Sequence, residues 1–421
     1  MRQFFNFLVL FFLFFLFAPL FGQTTVTIEE CQDWAISHSS ANVQKELNTQ
    51  LLKVKLNDAS SHLYPRLEIN GGLTYQSHVP QLPVSTFGVD SLSKLHSFIA
   101  LDFSQTVFDG AKFFYGRKYE KLLNEAEIFK LDISINQLKE KVISIYLNLF
   151  IIEKQLVILS NAEENLNEQV NRLKIMLKEG VVYANAVDQL EVEVLKIEQQ
   201  KGELQATKES LISSLSILTG KDLSNVVFAV PVFPTIEENT NSSRYEFKIF
   251  ENKKKSLDYQ KKLHFSQSLP KLSVFVTAGY GRPTYDIFSN KFDWFYLTGV
   301  KLKIPLIDWA KTTGIGNIIN LQKSIVASQE ADFEKSNKIA IQEKLNEIKK
   351  IENLLLLDEK ITQKYKDITQ TVSTQLLNGT ITAYDFIKYK NNEVQSLISQ
   401  EVHHFQLLKA KYELLGLKGK L

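Results

Sequence analysis

The chain holds one cysteine, two methionines and nine prolines in 421 residues, and each scarcity excludes something. With Cys31 alone there is no intramolecular disulfide. Ile28, Glu29 and Glu30 before it are not the small apolar run that precedes a lipid-acceptor cysteine, so no lipid anchor is expected there. Met1 and Met176 as the only methionines argue against a methionine-lined path for soft metal ions. Charge is nearly balanced, 49 basic against 47 acidic residues, with no basic stripe, so nucleic-acid binding has no support. No zinc-protease helix motif, nucleophile elbow, phosphate-binding loop or paired-cysteine site occurs. The expectation is therefore a protein that is not an enzyme and has no cofactor or metal. His403 and His404 adjoin, but neighbours on a helix point apart, which favours solvated surface. Thr313, Gly314, Ile315 and Gly316 lack the third glycine and the βαβ context of a dinucleotide loop, and read as a turn into a helix.

Proline is also missing by position: none lies within residues 84–230 or 306–421. Residues 117–179 and 317–378 run 63 and 62 residues without a Gly or Pro, and each run stops at a glycine, Gly180 and Gly379. A helix of that length extends ~95 Å, which implies an elongated molecule whose cores lie between helices. Leu131, Ile135, Leu138, Val142, Ile145, Leu149, Ile152, Leu156, Leu159, Glu163, Leu166, Val170, Leu173 and Leu177 alternate spacings of four and three. That is a coiled-coil stripe broken only by Glu163. Past Gly180 a second register, broken at Lys201 and Lys208, runs from Val187 to Leu218, so the chain is expected to turn at the glycine and return antiparallel. The second half is less regular, with Ile361, Tyr365, Ile368 and Val372 carrying the stripe toward Gly379.

The segments that precede each long run repeat as well. Leu67, Ile69, Gly71, Leu73 and Tyr75 alternate with Glu68, Asn70, Gly72 and Thr74, and Ile99, Leu101 and Phe103 lie opposite Ala100, Asp102 and Ser104. Leu272, Val274, Val276, Ala278 and Tyr280 alternate with Ser273, Thr277, Gly279 and Gly281, and Trp294, Tyr296, Thr298, Val300, Leu302 and Ile304 are opposed by Asp293, Gly299, Lys301 and Lys303. Short helical regions at 28–62 and 245–268 lead into these pairs. The chain is thus organised as a signal peptide over residues 1–22, a first structural repeat with its linker over 23–230, and a second repeat over 231–421. The N-terminal assignment rests on Met1 and Arg2, the apolar run from Phe4 to Phe21, and Gly22 as the expected cleavage point. A retained anchor is the alternative, the run being near the ~20 residues a spanning helix needs. No later segment is expected to cross a bilayer as a helix, so any further crossing must be a closed β-barrel.

Four alternating segments of about ten to thirteen residues fit tilted membrane-crossing strands. Four strands cannot close a barrel, and about eight leave no open lumen, so a trimer is the economical route to a pore. The fold class expected is mixed but mainly α: long antiparallel coiled-coil helical hairpins forming an α-barrel, plus four transmembrane β-strands per chain contributing to a trimeric 12-stranded β-barrel. Tyr75, Phe103, Tyr280, Trp294 and Tyr296 are the candidate membrane-interface aromatics. An ordinary soluble sheet with one exposed face is the alternative.

The doubled segments Tyr64-Pro65-Arg66-Leu67 and Leu269-Pro270-Lys271-Leu272, the turns Ser104 to Gly110 and Lys303 to Trp309, and the tips Gly180 to Leu190 and Gly379 to Ile387 together resemble the TolC-like outer-membrane efflux family. The resemblance covers nearly all of the chain beyond residue 22. It implies a homotrimer in outer-membrane lipid, a long periplasmic α-helical tunnel, and docking onto a periplasmic adaptor and an inner-membrane transporter. It also implies that a carboxylate after the second tip glycine narrows the tunnel mouth. Asp385 holds that place, while Ile381 and Lys388 stand where an arginine and a second aspartate can occur. In the first half Ala186 takes the acidic position and Asp188 comes two residues on. A ring of Asp385 side chains would favour cations. The plainer role for Asp385 is a carboxylate at a helix start, favoured by the dipole. Functionally the expectation is an exit duct of a tripartite efflux pump or type I secretion system. The alternative is a soluble periplasmic adaptor or structural coiled-coil protein.

Overall fold

The computed structural model describes residues 25–79, 93–234, 243–282, 284–286, 289, 291–306 and 309–421. The signal segment, the loop prolines Pro80, Pro83 and Pro283, Gly88 and Asp308 lie outside them. Among the described residues the elements run β1 (Thr25–Val26), α1 (Ile28–His38), α2 (Ser40–Ser61), β2 (Arg66–Tyr75), β3 (Leu95–Phe108), α3 (Lys112–Lys178) and α4 (Ala184–Thr219). They continue with β4 (Val227–Phe228), α5 (Tyr245–Phe265), a 3-10 turn (Ser266–Ser268), β5 (Lys271–Arg282), β6 (Asp293–Lys303), α6 (Trp309–Leu377) and α7 (Ala383–Lys418). The expected first helical region is two helices, because Ser39 takes an extended conformation between them (φ −72, ψ 148).

The described chain forms two compact units, each drawing on both halves of the sequence: the described parts of residues 1–43, 132–244 and 335–421, and those of 44–131 and 245–334. The second unit holds a four-stranded antiparallel sheet in the order β2-β3-β5-β6. Arg66 pairs with Ser104 across β2 and β3, Asp102 with Thr277 across β3 and β5, and Lys271 with Lys303 across β5 and β6. A register shift between Thr106 and Phe108 lies next to the turn into α3. In that turn Asp109 is buried. Its carboxylate accepts the Phe113 N–H at 2.7 Å and lies 2.7 Å from His62 Nε2, tying the start of α3 to the end of α2.

In the first unit four helices share a core near the two glycines: Leu159, Leu166, Val170 and Leu173 of α3 pack with Leu190 and Ile197 of α4, Val372 and Leu376 of α6, and Phe386 of α7. None of the fourteen positions of the α3 stripe is exposed. Its polar exception has a partner, for Glu163 pairs with Lys201 at 2.5 Å, and Lys208 pairs with Glu153 at 2.9 Å. The residues that break both stripes are thus ion pairs across the hairpin, and their stems pack along the apolar seam.

The second hairpin departs from its expected register. Val372 and Leu376 are buried, but Ile361 and Ile368 are exposed while Thr362 and Thr369 are buried in their place. A one-residue shift of a stripe turns its face by about 100°, a consequence of 3.6 residues per turn. Here packing, not side-chain polarity, chose the buried face. His403, expected on the solvated surface, pairs with Asp358 of α6 at 2.6 Å and is half-buried.

A second core closes around Cys31, Ala35, Tyr146, Leu147, Leu215 and Leu408. The two-residue strands β1 and β4 pair in parallel beside it, and the Tyr146 hydroxyl reaches the carbonyls of Val26 and Ala229, 2.7 Å each. Two residues are too few to show a period, which is why this small sheet left no trace in the pattern. Burial pushes the Cys31 thiol up to about 12, with Glu30 and Glu29 adding to it, so at neutral pH it stays protonated and unreactive. Against expectation, α3 is apolar and long enough to cross a membrane by length and composition. Its most apolar stretch supplies Val142, Tyr146, Leu147, Leu149 and Phe150 to this core, all buried.

Candidate functional site

Successive side chains of a strand point to opposite faces, and the register carries this parity across the sheet. Phe98, Ala100, Asp102, Thr277 and Phe295 line one hollow, which fixes the first face. Following the pairs from there, Arg66, Glu68, Asp102, Lys271, Asp293, Lys301 and Lys303 all fall on that face. The other face carries Leu67, Ile69, Leu73, Ile99, Leu101, Val276, Val300 and Leu302, each exposed. The only Asp, Glu, Lys or Arg of these strands on the apolar face is Arg282, the last residue of β5, whose guanidinium lies 5.0 Å from the Phe292 ring centroid. The sheet thus presents one charged face and one apolar face that the single chain leaves uncovered.

The polar face is internally bonded. Asn70 Nδ2 donates to Asp102 at 2.5 Å, and the Thr277 hydroxyl donates to the same carboxylate. Gly279 is needed there for space, since a Cβ would come within 2.6 Å of the Phe295 ring.

The expected interface aromatics all lie on the apolar face. Tyr280 and Trp294 pair directly and their rings are 5.3 Å apart, with Tyr296 two residues on. Tyr75, Trp294 and Tyr296 are each more than 70 % exposed, too much for a core role. Tyr75 closes the loop end of β2 opposite Leu95. Phe103 differs, lying half-buried between Leu67 and Val276 toward the helix end.

The two hairpin tips are built alike. Gly180 (φ 72) and Gly379 (φ 66) take the left-handed conformation that ends a helix cheaply only as glycine. In the first, the Val181 N–H reaches Met176 O (2.9 Å) and the Gly180 N–H reaches Leu177 O (3.1 Å). In the second, Thr380 reaches Gln375 O (3.0 Å) and Gly379 reaches Leu376 O (3.0 Å). The starts of the two return helices differ. Tyr183 starts α4 with no side-chain cap. Thr382 starts α7 in a capping box: its hydroxyl accepts the Asp385 N–H at 3.1 Å, and the Asp385 carboxylate accepts the Thr382 N–H at 3.4 Å and the Thr382 hydroxyl at 2.6 Å. Asp385 is engaged in the local cap.

Asp188 lines a different feature, an open groove of about 660 Å³ between α4 and α7 that also holds Glu193, Lys196, Tyr384, Lys388 and Asn391. Asn391 donates to Glu193 at 2.8 Å across it. Sequence reasoning missed Glu193, which sits beside the Val194 of the stripe, because a single carboxylate next to an apolar position looks like surface. Among the described residues no group of three or more His, Cys, Asp or Glu could hold a metal ion.

No family model matches the chain, and no curated protein does. Solved structures do. The chain superposes with TM-score 0.73 on the channel protein CusC, at 11% identity over 95% of each chain. It superposes with TM-score 0.69 on the CmeC outer membrane channel of Campylobacter jejuni, at 16% identity over 93% of this chain and 85% of that one. With VceC, an outer membrane protein of Vibrio cholerae, the TM-score is 0.69 at 12% identity, covering 93% of this chain and 96% of the other. All three are TolC-family outer-membrane channels. The chain has their mainly α fold, built on long helices.

Proposed function

We propose that this chain is an outer-membrane exit duct, one of three copies whose sheets close a twelve-stranded barrel and whose hairpins form a periplasmic tunnel. The observation that carries this reading is the segregation of charge in the sheet. Strands of 10 to 14 residues have the length to cross a bilayer obliquely. Their charges lie on one face, while the other exposes aliphatic and aromatic residues, so the apolar face suits lipid and the charged face a water-filled lumen. Four strands leave β2 and β6 as edges, and lipid tolerates no open edge. Further copies of the same chain supply the missing pairing, with the aromatics Tyr75, Tyr280, Trp294 and Tyr296 at one membrane interface and Phe103 deeper.

The duct carries out no chemistry of its own. An inner-membrane transporter, reached through a periplasmic adaptor, expels the substrate, and the tunnel conducts it outward. Efflux of small molecules and secretion of a polypeptide both fit such a duct. At the tunnel mouth, Asp188 and Asp385 are the first carboxylates after the two tip glycines. Asp385 narrows the mouth only by leaving its capping box, which costs that helix start about 1 kcal/mol. The residues 23–230 and 231–421 act as two copies of one ancestral unit, each contributing two strands and one hairpin.

The deciding experiment fractionates membranes and measures the detergent-corrected mass of the protein by light scattering. A mass near three chains in the outer-membrane fraction supports the duct. A soluble monomer would instead make the apolar face a protein-docking surface and favour a periplasmic adaptor.

A further inference from the structure

The charges on the polar face of the sheet are not mixed evenly along the strands. Reading the register from the helix end, the first rows hold Lys271 opposite Lys303, then Lys301 opposite Ser273, then Arg66 opposite Ser104. No strand carboxylate falls in these rows. The next row pairs Glu68 with Asp102, about 7 Å farther along at two residues' rise, and Asp293 comes later still, opposite Gly281. Asp102 is held by Asn70 and Thr277.

Beside the cationic rows lies an open cleft of about 500 Å³, lined by Arg66, Lys112, Lys271 and Lys301 together with His62 and Asp109. Asp109 is the single carboxylate of that lining, and it is already occupied by His62 Nε2 and the Phe113 N–H. Among the described residues none of Arg66, Lys112, Lys271, Lys301 and Lys303 forms an ion pair with a carboxylate, whereas lysines of the hairpins, such as Lys174, Lys201 and Lys344, do. Neutralising partners are common in the helices and withheld here.

We infer that Arg66, Lys271, Lys301 and Lys303, with Lys112 at the rim, form a cationic collar at the helix end of the barrel lumen, and that the collar favours anionic solutes in transit. The inference rests on the duct reading, because only there does the polar face line a passage. Like-charged side chains around an aqueous passage raise the local concentration of counter-ions. Three copies repeat the collar around one axis. Its ligand class is small anions and the carboxylate or phosphate groups of larger solutes, held in passing and not coordinated, since the cleft is open and its cations sit on flexible stems.

The test is ion selectivity of the full-length protein in planar bilayers under a KCl gradient. At ~0.1 M mean salt the wild type is expected to prefer chloride, and the preference to fade at 1 M, where the screening length shrinks from ~10 Å to ~3 Å. The variant Arg66→Gln/Lys271→Gln/Lys301→Gln/Lys303→Gln is expected to lower the chloride-to-potassium permeability ratio by about threefold. Exchanging Arg66→Lys, Lys271→Arg, Lys301→Arg and Lys303→Arg is expected to keep it. Wild-type conductance with an unchanged ratio in the Gln variant overturns the collar and leaves the duct standing. Failure of the wild type to form any channel overturns both. If the Gln variant does not insert, the wild type decides: a cation preference at ~0.1 M overturns the collar, and a chloride preference lost at 1 M supports it.

Discussion

The two helical hairpins solve one packing problem by different means. In α3/α4 the stripe is apolar almost throughout, and its polar members Glu163, Lys201 and Lys208 are held in ion pairs, Glu163 with Lys201 and Lys208 with Glu153. In α6/α7 the buried face includes Thr362 and Thr369, and cross-links run through Lys344 with Glu413, Lys411 with Glu352, and His403 with Asp358. The first hairpin starts its return helix uncapped, and the second caps it through Thr382 and Asp385. The tip glycines do the same job in both. A turn is fixed by backbone conformation, and so has one geometry in both hairpins, while the helices beyond it are free to differ in how they are capped and packed.

Substitutions can break this comparison at four levels, each read as a change in the denaturant midpoint of the purified protein. Leu166 is fully buried in the tip core, so Leu166→Ala is expected to cost about 3 kcal/mol. Ile361 is exposed on the second hairpin, and Ile361→Ala is expected to cost under about 0.5 kcal/mol in the dissociated chain. Equal losses would mean that Ile361 is buried after all.

Gly180 and Gly379 have open space where a Cβ would stand, with nothing within 4 Å, so only the backbone conformation penalises a side chain there. Gly180→Ala and Gly379→Ala are expected to cost about 1–2 kcal/mol each, and the same at both tips. A large difference between them would show that one tip is held by more than its turn.

The caps offer a gain as well as a loss. Thr382→Ala is expected to destabilise by about 1 kcal/mol. Building the same box in the first hairpin, with Tyr183→Thr and Ala186→Asp, is expected to stabilise by a similar ~1 kcal/mol. No gain would indicate that the first tip cannot adopt the box geometry.

The smallest expected effect is at Thr362, whose buried hydroxyl has no hydrogen-bond partner among the described residues. Thr362→Val keeps the shape and removes the orphaned group, and is expected to stabilise by about 1 kcal/mol or less. A loss instead would assign that hydroxyl a partner in the assembled protein.

Much of the fold is legible in the amino-acid order. The long proline-free runs end where Gly180 and Gly379 end helices, and Leu67 to Tyr75 and Trp294 to Leu302 alternate as strands do. Those features are local: a left-handed turn favours glycine whatever surrounds it, and a two-residue period is written in consecutive residues. The shift from Ile361 and Ile368 to Thr362 and Thr369 was not legible, because side-chain polarity points to the isoleucine stripe and only packing against the neighbouring helices overrides it. Nor could Asp385 be separated from its role as a cap, since the same carboxylate suits either place.

By itself, then, the amino-acid order determined which segments are helix or strand and where the chain reverses, because backbone propensity and periodicity act over a few residues. Tertiary structure alone decided that the strands of both halves join one sheet in the order β2-β3-β5-β6, that Arg66, Lys271, Lys301 and Lys303 gather at one end of one face, and that β1 pairs with β4 under Tyr146. Each of these depends on strand register and on contacts between residues tens to hundreds of positions apart, and register is a property of the pair, never of either strand alone.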